Sequence, residues 1–292
     1  MATVHVTGAV PARITEELER DFELVGDPAG ADGILSLLST RVDGAYLDAA
    51  GPQLRVVANY GVGVDNVDLA AAEERGVLVA NTPDVLTHTT AELAIALMLS
   101  LLRRVTEGDR MLRRHAEWRF SLEFMLGESL DGKLVGIVGA GRIGRETGRM
   151  AEALGAHAIY AGRADPLDDL LAQADVVSLH TPLNAETRHL IDAAALAKMK
   201  PTAILVNTAR GPVVDEAALC DALRNGTIAG AALDVFELEP VVTEELLGFE
   251  NVVLTPHLGS ATRRTREAMG LLAVDALRAV LVEGRRPANT VV

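Results

Sequence analysis

The chain has little of what disulfide proteins and cysteine metal sites require. Cys220 is the only cysteine among 292 residues, so neither a disulfide nor a cysteine metal site can form within one chain. The residue lies in the amphipathic segment DEAALCDALRNG, which predicts a buried structural thiol rather than a nucleophile. No pair of histidines has a convincing metal-ligand spacing, and we expect no metal.

Long apolar runs are also missing. The longest, LAIALMLSLL at residues 93–102, has about half the length that a membrane span needs, so it predicts a buried or dimer-forming helix. The N-terminal segment MATVHVTGAV lacks a charged region followed by an apolar run, and we expect no signal peptide. Together these features predict a soluble, cytoplasmic protein without a membrane partner.

Positive charge is scarce. Lys and Arg number 27 against 41 Asp and Glu, which gives a net charge of −14. A surface that binds nucleic acid needs the opposite balance, and we therefore expect no nucleic-acid partner. A local basic pocket for a small anion stays compatible with this composition. Apolar residues make up 49% of the chain, which is globular composition with enough length for two domains.

Short apolar strands alternate with helical segments, a pattern typical of α/β domains with parallel sheets. The first 87 residues contain four predicted strands (VHVTG, GILSLLS, LRVVANY, GVLVANT) and two predicted helices (ITEELERDF, NVDLAAAEERG). One long helix is predicted at about residues 89–115. Six further strands follow (LVGIVG, HAIYAG, DVVSLH, AILVNTA, GAALDVF, NVVLTPH), the number in a complete doubly wound dinucleotide domain. A final long helix is predicted in TRRTREAMGLLAVDALRAVLVEG.

The segment GIVGAGRIG has the spacing Gly139-x-Gly141-x-x-Gly144 between a predicted strand and a predicted helix. Gly139 would permit the tight turn, Gly141 the approach of a pyrophosphate, and Gly144 close packing of helix and strand. An ordinary glycine-rich turn is the alternative interpretation. The six strands in the right order favour a dinucleotide site.

An arginine stands where sites for NAD usually have an acid. A carboxylate about 20 residues after the glycine turn normally binds the ribose hydroxyls of NAD. Here Arg163 lies 22 residues after Gly141, and no acid occurs in HAIYAG. Because a guanidinium can pair with a 2′-phosphate, the sequence favours NADP(H). NAD(H) stays an alternative, since Asp165 could take the acidic role and Arg163 could be a solvated loop residue.

Three polar residues follow predicted strands of the second series: Arg210 in NTARG, Glu239 in LDVFELEP and His257 in LTPHLGSAT. Singly they could be a surface charge, a simple turn and a satisfied core histidine. The C-terminal ends of parallel strands meet at one sheet edge, so together they form a set suited to carbonyl reduction. The guanidinium would hold a carboxylate, and the imidazole would exchange a proton.

The whole pattern resembles the D-isomer-specific 2-hydroxyacid dehydrogenase family, and within it the glyoxylate/hydroxypyruvate reductase branch, toward which HLGSAT and IYAGR point. The resemblance extends over nearly the whole chain. It rests on NYGVGVDNVDL, VANTPDVLTHTTAELA, GIVGAGRIG, VSLHTPL, NTARG, LDVFELEP and HLGSATRRTR.

The resemblance implies a Rossmann cofactor domain at residues 89–265, inserted into a smaller flavodoxin-like α/β substrate domain at residues 1–88 plus 266–292, with a cleft between them. It implies a small 2-keto acid as substrate and a homodimer formed through residues 89–115. A phosphoglycerate-type dehydrogenase and a nicotinamide-sensing corepressor-like binding protein stay alternatives.

The resemblance also implies residue roles. The implied catalytic residues are Arg210, Glu239 and His257. The substrate carboxylate would be bound by Arg210 and by the backbone N–H groups of Val62 and Gly63. Besides the glycine turn and Arg163, the implied cofactor residues are Arg142 and Ile143 at the pyrophosphate, and Thr181, Pro182, Thr208, Asp234 and Gly259 at the nicotinamide.

Two segments depart from the family pattern. The connection ADPLDDLLAQAD after Arg163 is short, which predicts a more open adenosine end and a less strict cofactor preference. The segment VVTEELLG after Glu239-Pro240 lacks the usual proline and histidine, which leaves the substrate range open.

Overall fold

The structure is a computed structural model that describes residues 1–163 and 165–292. Its strands are β1 (Ala2–Val6), β2 (Phe22–Val25), β3 (Gly33–Ser36), β4 (Val56–Asn59), β5 (Leu78–Ala80), β6 (Leu134–Val138), β7 (His157–Ala161), β8 (Val176–Leu179), β9 (Ile204–Asn207), β10 (Gly230–Leu233) and β11 (Val252–Leu254). Its helices are α1 (Ala12–Asp21), α2 (Gly44–Ala50), α3 (Leu69–Glu74), α4 (Thr87–Leu102), α5 (Val105–Arg113), α6 (Arg142–Ala153), α7 (Leu167–Gln173), α8 (Ala193–Leu196), α9 (Glu216–Arg224), α10 (Glu244–Gly248) and α11 (Arg263–Leu281).

The chain divides into two compact units. The first contains Met1–Leu86 with Ser260–Val292, and the second contains Thr87–Gly259. These boundaries differ from the predicted ones: the first lies after Leu86 rather than residue 88, because α4 already begins at Thr87. The second lies after Gly259 rather than residue 265, because the turn before α11 joins the first unit.

The first unit has one parallel sheet with the strand order β2-β1-β3-β4-β5. This order is that of flavodoxin-like folds, as the resemblance implies. Strand β2 is not predicted from the sequence, because FELV directly continues a helical pattern that includes Phe22. Instead, Phe22 is buried at the start of an edge strand. Helix α11 packs against β3 and β4, confirming the predicted final helix.

The second unit has a six-stranded parallel sheet with the order β11-β10-β9-β8-β6-β7. All six predicted strands are present, and β8 to β10 are fully buried, as their continuous apolar sequence indicates. The chain passes from β6 through α6 to β7 on one side and then returns to β8 on the other. This reversal between β6 and β8 creates the crevice in which such sheets bind ligands.

The predicted helix at 89–115 is wrong in its length. The structure has two helices in this region, α4 and α5. They are separated at Arg104, which has a left-handed backbone with φ of 53°. The N–H of Glu128 donates to the carbonyl of Leu102 at 2.9 Å, so a later segment satisfies the end of α4. No glycine or proline marks this break in the sequence. The apolar run at 93–102 packs against α6 and the sheet.

The single cysteine lies in the core of the second unit. Cys220 on α9 is 2% exposed, and burial, with nearby acids such as Glu245, raises the pKa of its thiol to about 11. The thiol is therefore neutral and inaccessible, as the amphipathic pattern predicts.

Candidate active site

The glycine turn joins β6 to α6 at the reversal of the sheet. Gly139 has φ of 100°, and a Cβ there would lie 2.7 Å from the carbonyl carbon of His180. A Cβ on Gly144 would lie 2.1 Å from the carbonyl oxygen of Gly139. Both positions therefore need glycine to let β6, β8 and α6 pack this closely.

The N-terminus of α6 offers an anion site of the expected kind. Gly141 is the N-cap residue, and a Cβ placed on it would contact nothing within 4 Å. Arg142 and Ile143 form the first turn, in which Arg142 is exposed and Ile143 half-buried. The first amides of a helix have no acceptor within the helix and attract phosphate. The predicted pyrophosphate residues thus surround an open approach to these amides.

Three buried polar atoms at the ends of β8 and β9 have no hydrogen-bond partner among the described residues. They are the hydroxyls of Thr181 and Thr208 and Nδ1 of His180. Burial lowers the pKa of His180 to about 4, so its ring is neutral. Unsatisfied buried groups each cost about 1–3 kcal/mol. Such groups beside the glycine turn fit a bound dinucleotide, and two of them are threonines that the sequence analysis singles out.

We call Gly162, Arg163, Asp165 and Asn184–Thr187 the adenosine end of the site. Arg163 forms an ion pair with Glu186. The Asp165 carboxylate accepts a hydrogen bond from the N–H of Gly162 at 2.7 Å, so this acid caps the turn after β7. Residue 164, which belongs to the short connection, lies outside the described residues.

We call Asn207–Gly211, Asp234–Glu239 and Thr255–Gly259 the catalytic end. Arg210 follows β9, and the buried Asn207 fixes its backbone: the amide of Asn207 donates to the carbonyl of Arg210 at 2.9 Å and accepts from the N–H of Ala209 at 3.0 Å. A Cβ on Gly211 would lie 1.9 Å from the backbone of Phe236. The Arg210 loop is therefore packed directly against the loop that carries Glu239.

Glu239 and His257 form a hydrogen-bonded pair. Nδ1 of His257 lies 2.8 Å from Oε2 of Glu239, and the two side chains are 33% and 34% exposed. Oε1 of Glu239 accepts from the N–H of Phe236 at 3.0 Å. Burial alone would raise the pKa of Glu239, but the bond from His257, its charge, the Phe236 N–H and the charge of Arg210 together lower that pKa. An ionised Glu239 favours a proton on Nδ1 of His257.

Asp234 shapes the turn that presents His257. Its Oδ1 accepts from the Thr255 hydroxyl at 2.6 Å and the Leu258 N–H at 2.7 Å, and its Oδ2 accepts from the Gly259 N–H at 2.8 Å. The carbonyl of Asp234 accepts from the N–H of His257 at 2.8 Å. Burial raises the pKa of the Asp234 carboxyl despite these bonds. The carboxylate thus holds this turn, and its role at the nicotinamide stays a prediction.

Glu216 supports the loop on the other side of Glu239, and the sequence analysis does not single it out. It is 5% exposed. Its carboxylate accepts from the N–H of Glu237 at 2.6 Å and from the hydroxyl of Thr243. The segment VVTEELLG, which departs from the family pattern, is therefore anchored through its threonine. The partners of Glu216 lie 21 and 27 residues away in the sequence, so no local pattern could have revealed its role.

Val62 and Gly63, the predicted substrate loop, lie in the first unit after β4. The carbonyl of Gly63 accepts from the Asn59 amide at 2.7 Å, and the carbonyl of Val62 accepts from the Asn81 amide at 2.8 Å. These bonds fix the two peptide planes. Asn59, like Asn207, ends a strand and holds the loop that follows it.

Metal-binding clusters and membrane-spanning helices are absent from the part of the chain that the structure describes. Across residues 1–163 and 165–292, no group of three or more His, Cys, Asp or Glu side chains is placed to hold a metal ion. In the same described ranges, no helix has the length and apolar character needed to cross a membrane.

Comparisons with known proteins agree with this geometry. The family model described as "D-isomer specific 2-hydroxyacid dehydrogenase, NAD binding domain" matches residues 95–259. A glyoxylate reductase from Pyrococcus furiosus is 43% identical, with 94% of this chain and 90% of that protein covered. The crystal structure of a Thermus thermophilus protein superposes with a TM-score of 0.92 at 43% identity, covering 99% of this chain and 100% of that one. An NADPH-dependent glyoxylate/hydroxypyruvate reductase from Sinorhizobium meliloti, solved with NADP and malonate, gives 0.89 at 38% identity, covering 99% and 96%.

Proposed function

The chain belongs to the D-isomer-specific 2-hydroxyacid dehydrogenase family, and we propose that it reduces glyoxylate to glycolate, which is achiral, or hydroxypyruvate to the D-2-hydroxy acid. Its membership makes it an NAD(P)-dependent oxidoreductase. The observation that carries the proposal is the Glu239–His257 pair, with Arg210 close enough to lower the pKa of Glu239. The named relatives support glyoxylate as the substrate.

The residues at the catalytic end would divide the work between binding and proton transfer. Arg210 would hold the substrate carboxylate through charge-assisted hydrogen bonds and polarise the ketone. A bound nicotinamide dinucleotide supplies the hydride. His257 would donate a proton from Nε2 to the carbonyl oxygen as negative charge develops there, while Glu239 keeps the imidazolium oriented and paired. The substrate role of Val62 and Gly63 stays a prediction.

An assay matrix tests this function. NADH and NADPH are each combined with glyoxylate, hydroxypyruvate, pyruvate and phosphohydroxypyruvate, and cofactor oxidation is followed by absorbance. We expect the highest kcat/KM with glyoxylate or hydroxypyruvate. A preference for phosphohydroxypyruvate would favour the phosphoglycerate-type alternative. The absence of turnover with all four acids would favour a nicotinamide-sensing binding protein.

NADP(H) is the cofactor that we propose the protein prefers. Arg163 offers an exposed guanidinium immediately after β7, where the sugar of the adenosine half binds in this fold. The competing acid, Asp165, is bonded to the N–H of Gly162. The Sinorhizobium relative described as NADPH-dependent adds support. NAD(H) stays the alternative.

We propose a homodimer through the helix region of residues 89–115, extended by the exposed segment that follows it up to residue 126. The side chains of α4 at 94–98 pack mainly within their own unit, whereas large apolar side chains of the later segment are exposed. More than half exposed are Val105, Leu112, Trp118, Phe120, Leu122 and Leu126. Concentrated exposed apolar area marks an interface. Sedimentation of the double variant Phe120→Asp, Leu122→Asp should show a monomer, and an unchanged mass would remove this segment from the interface.

A further inference from the structure

The arginine assigned to the cofactor phosphate already has an acidic neighbour. Arg163 and Glu186 form an ion pair in which the side chains are 83% and 60% exposed. The hydrogen bond and the charge of Glu186 raise the pKa of Arg163 above its ordinary value. A carboxylate therefore occupies the position beside the guanidinium that a 2′-phosphate would need.

Glu186 is held there by a compact turn. The side-chain oxygen of Asn184 accepts from the N–H of Glu186 at 2.9 Å and from the N–H of Thr187 at 3.0 Å. The hydroxyl of Thr187 donates to the carbonyl of Pro182 at 2.7 Å. These bonds tie Glu186 to the segment that contains Thr181 and Pro182, two of the predicted cofactor residues. Its placement follows from the turn and does not rest on the ion pair alone.

The guanidinium is carried by an equally short connection. Strand β7 ends at Ala161 and α7 begins at Leu167, and β7 is the edge strand of its sheet. The Asp165 carboxylate caps the intervening turn. Two anchored turns thus bring Arg163 and Glu186 together across 23 residues of sequence.

We propose that Glu186 is a specificity-determining residue that weakens the preference for NADP(H) over NAD(H). The inference rests on the proposed role of Arg163 at the 2′-phosphate. That phosphate, with a charge of about −1.5 to −2, must displace Glu186 from Arg163 and then lie beside its carboxylate. NAD(H) has ribose hydroxyls at this position and meets no such repulsion. Glu186 therefore acts against one cofactor and leaves the other unaffected.

Calorimetric titration with two cofactor fragments tests the inference without measuring turnover. The fragment 2′,5′-ADP carries the 2′-phosphate, and ADP lacks it. We expect Glu186→Gln to bind 2′,5′-ADP about 5-fold more tightly, the scale of an exposed ion pair, and to bind ADP as the unaltered protein does. Unchanged ADP affinity also shows that the variant is folded. The gain should shrink at high salt.

Two further variants separate the possible failures. Glu152→Gln removes another exposed acid of the same unit and should change neither affinity, which controls for net charge. Arg163→Gln should weaken the binding of 2′,5′-ADP and leave the binding of ADP unchanged. Suppose that Arg163→Gln binds 2′,5′-ADP more weakly but Glu186→Gln has the same ratio of 2′,5′-ADP to ADP affinity as the unaltered protein. This result would overturn the inference about Glu186 and leave the assignment of Arg163 to the cofactor intact. If Glu186→Gln, Arg163→Gln and the unaltered protein all bind 2′,5′-ADP equally well, the assignment of Arg163 to the 2′-phosphate and the inference about Glu186 are both overturned.

Discussion

The two ends of the site are built from different kinds of interaction. At the catalytic end, buried Asp234 and Asn207 hold the loops of His257 and Arg210 through short hydrogen bonds. At the adenosine end, Arg163 and Glu186 meet at the surface, where water and salt screen their charges. Under the proposed function, the difference means that chemistry would depend on buried geometry, whereas the choice of cofactor would depend on exposed charges that can change at little cost to the fold.

The largest effect should come from His257, the proposed proton donor. His257→Ala should lower kcat by about 100-fold or more, the scale of general acid catalysis. Affinity for NADPH should stay near that of the unaltered protein, because the glycine turn and Arg163 are untouched. Steady-state kinetics with calorimetry of NADPH measures both. Near-normal turnover of His257→Ala would contradict its proposed role in proton transfer and, with it, the contrast between the two ends.

Removing the support of His257 should affect both stability and rate. Asp234→Ala leaves the N–H groups of Leu258 and Gly259 without their acceptor, and we expect a loss of about 3 kcal/mol in the free energy of unfolding. Turnover should fall as well, because the turn no longer holds His257. Glu186→Ala is the matched variant at the other end, with a loss of about 0.5 kcal/mol or less. Denaturant unfolding compares them, and equal losses would contradict the contrast between the two ends.

Prediction from sequence succeeds where the signal is local and fails where it comes from distant parts of the chain. Strands β6 to β11 and the glycine turn can be found because these strands are short, largely apolar runs between helical segments, and phosphate turns have a fixed spacing. The edge strand β2 and the break at Arg104 escape prediction, since neither has a local signal. Arg210, Glu239 and His257 can be proposed as a set from their positions after strands, and their catalytic roles stay predictions. Glu186 and Glu216 cannot, because their roles come from partners distant in the chain.

A smaller effect is expected at the adenosine end. Arg163→Ala should raise the KM for NADPH by about 10-fold, since a charge-assisted bond to phosphate is lost, and leave kcat and the KM for NADH nearly unchanged. Kinetics with both cofactors at low and high salt measures this. A change in kcat comparable to that of His257→Ala would mean that the two ends are not separable.

The smallest effect concerns pH and the Glu239–His257 pair. Because the pKa of Glu239 is lowered in the folded protein, the ionised carboxylate contributes stability above its ordinary pKa of 4.5, and this contribution is lost as the pH falls through the lowered value. Glu239→Gln should therefore be less stable than the unaltered protein at about pH 6, with the difference shrinking below the ordinary pKa. Thermal unfolding across this range checks it. A stability difference that grows toward acid pH would mean that the pKa of Glu239 is raised in the folded protein, which contradicts this prediction.

Binding of oxamate, an unreactive analogue of a small 2-keto acid, to the NADPH-loaded protein tests the central claim most directly. Arg210 is held beside Glu239 by the packing of Gly211 against Phe236, so the anion should bind where Arg210 and His257 converge. Calorimetry should show that Arg210→Gln weakens oxamate binding by about 10-fold or more, as expected for a lost charge-assisted bond, with NADPH affinity unchanged. Equal oxamate affinity in the two proteins would contradict the account.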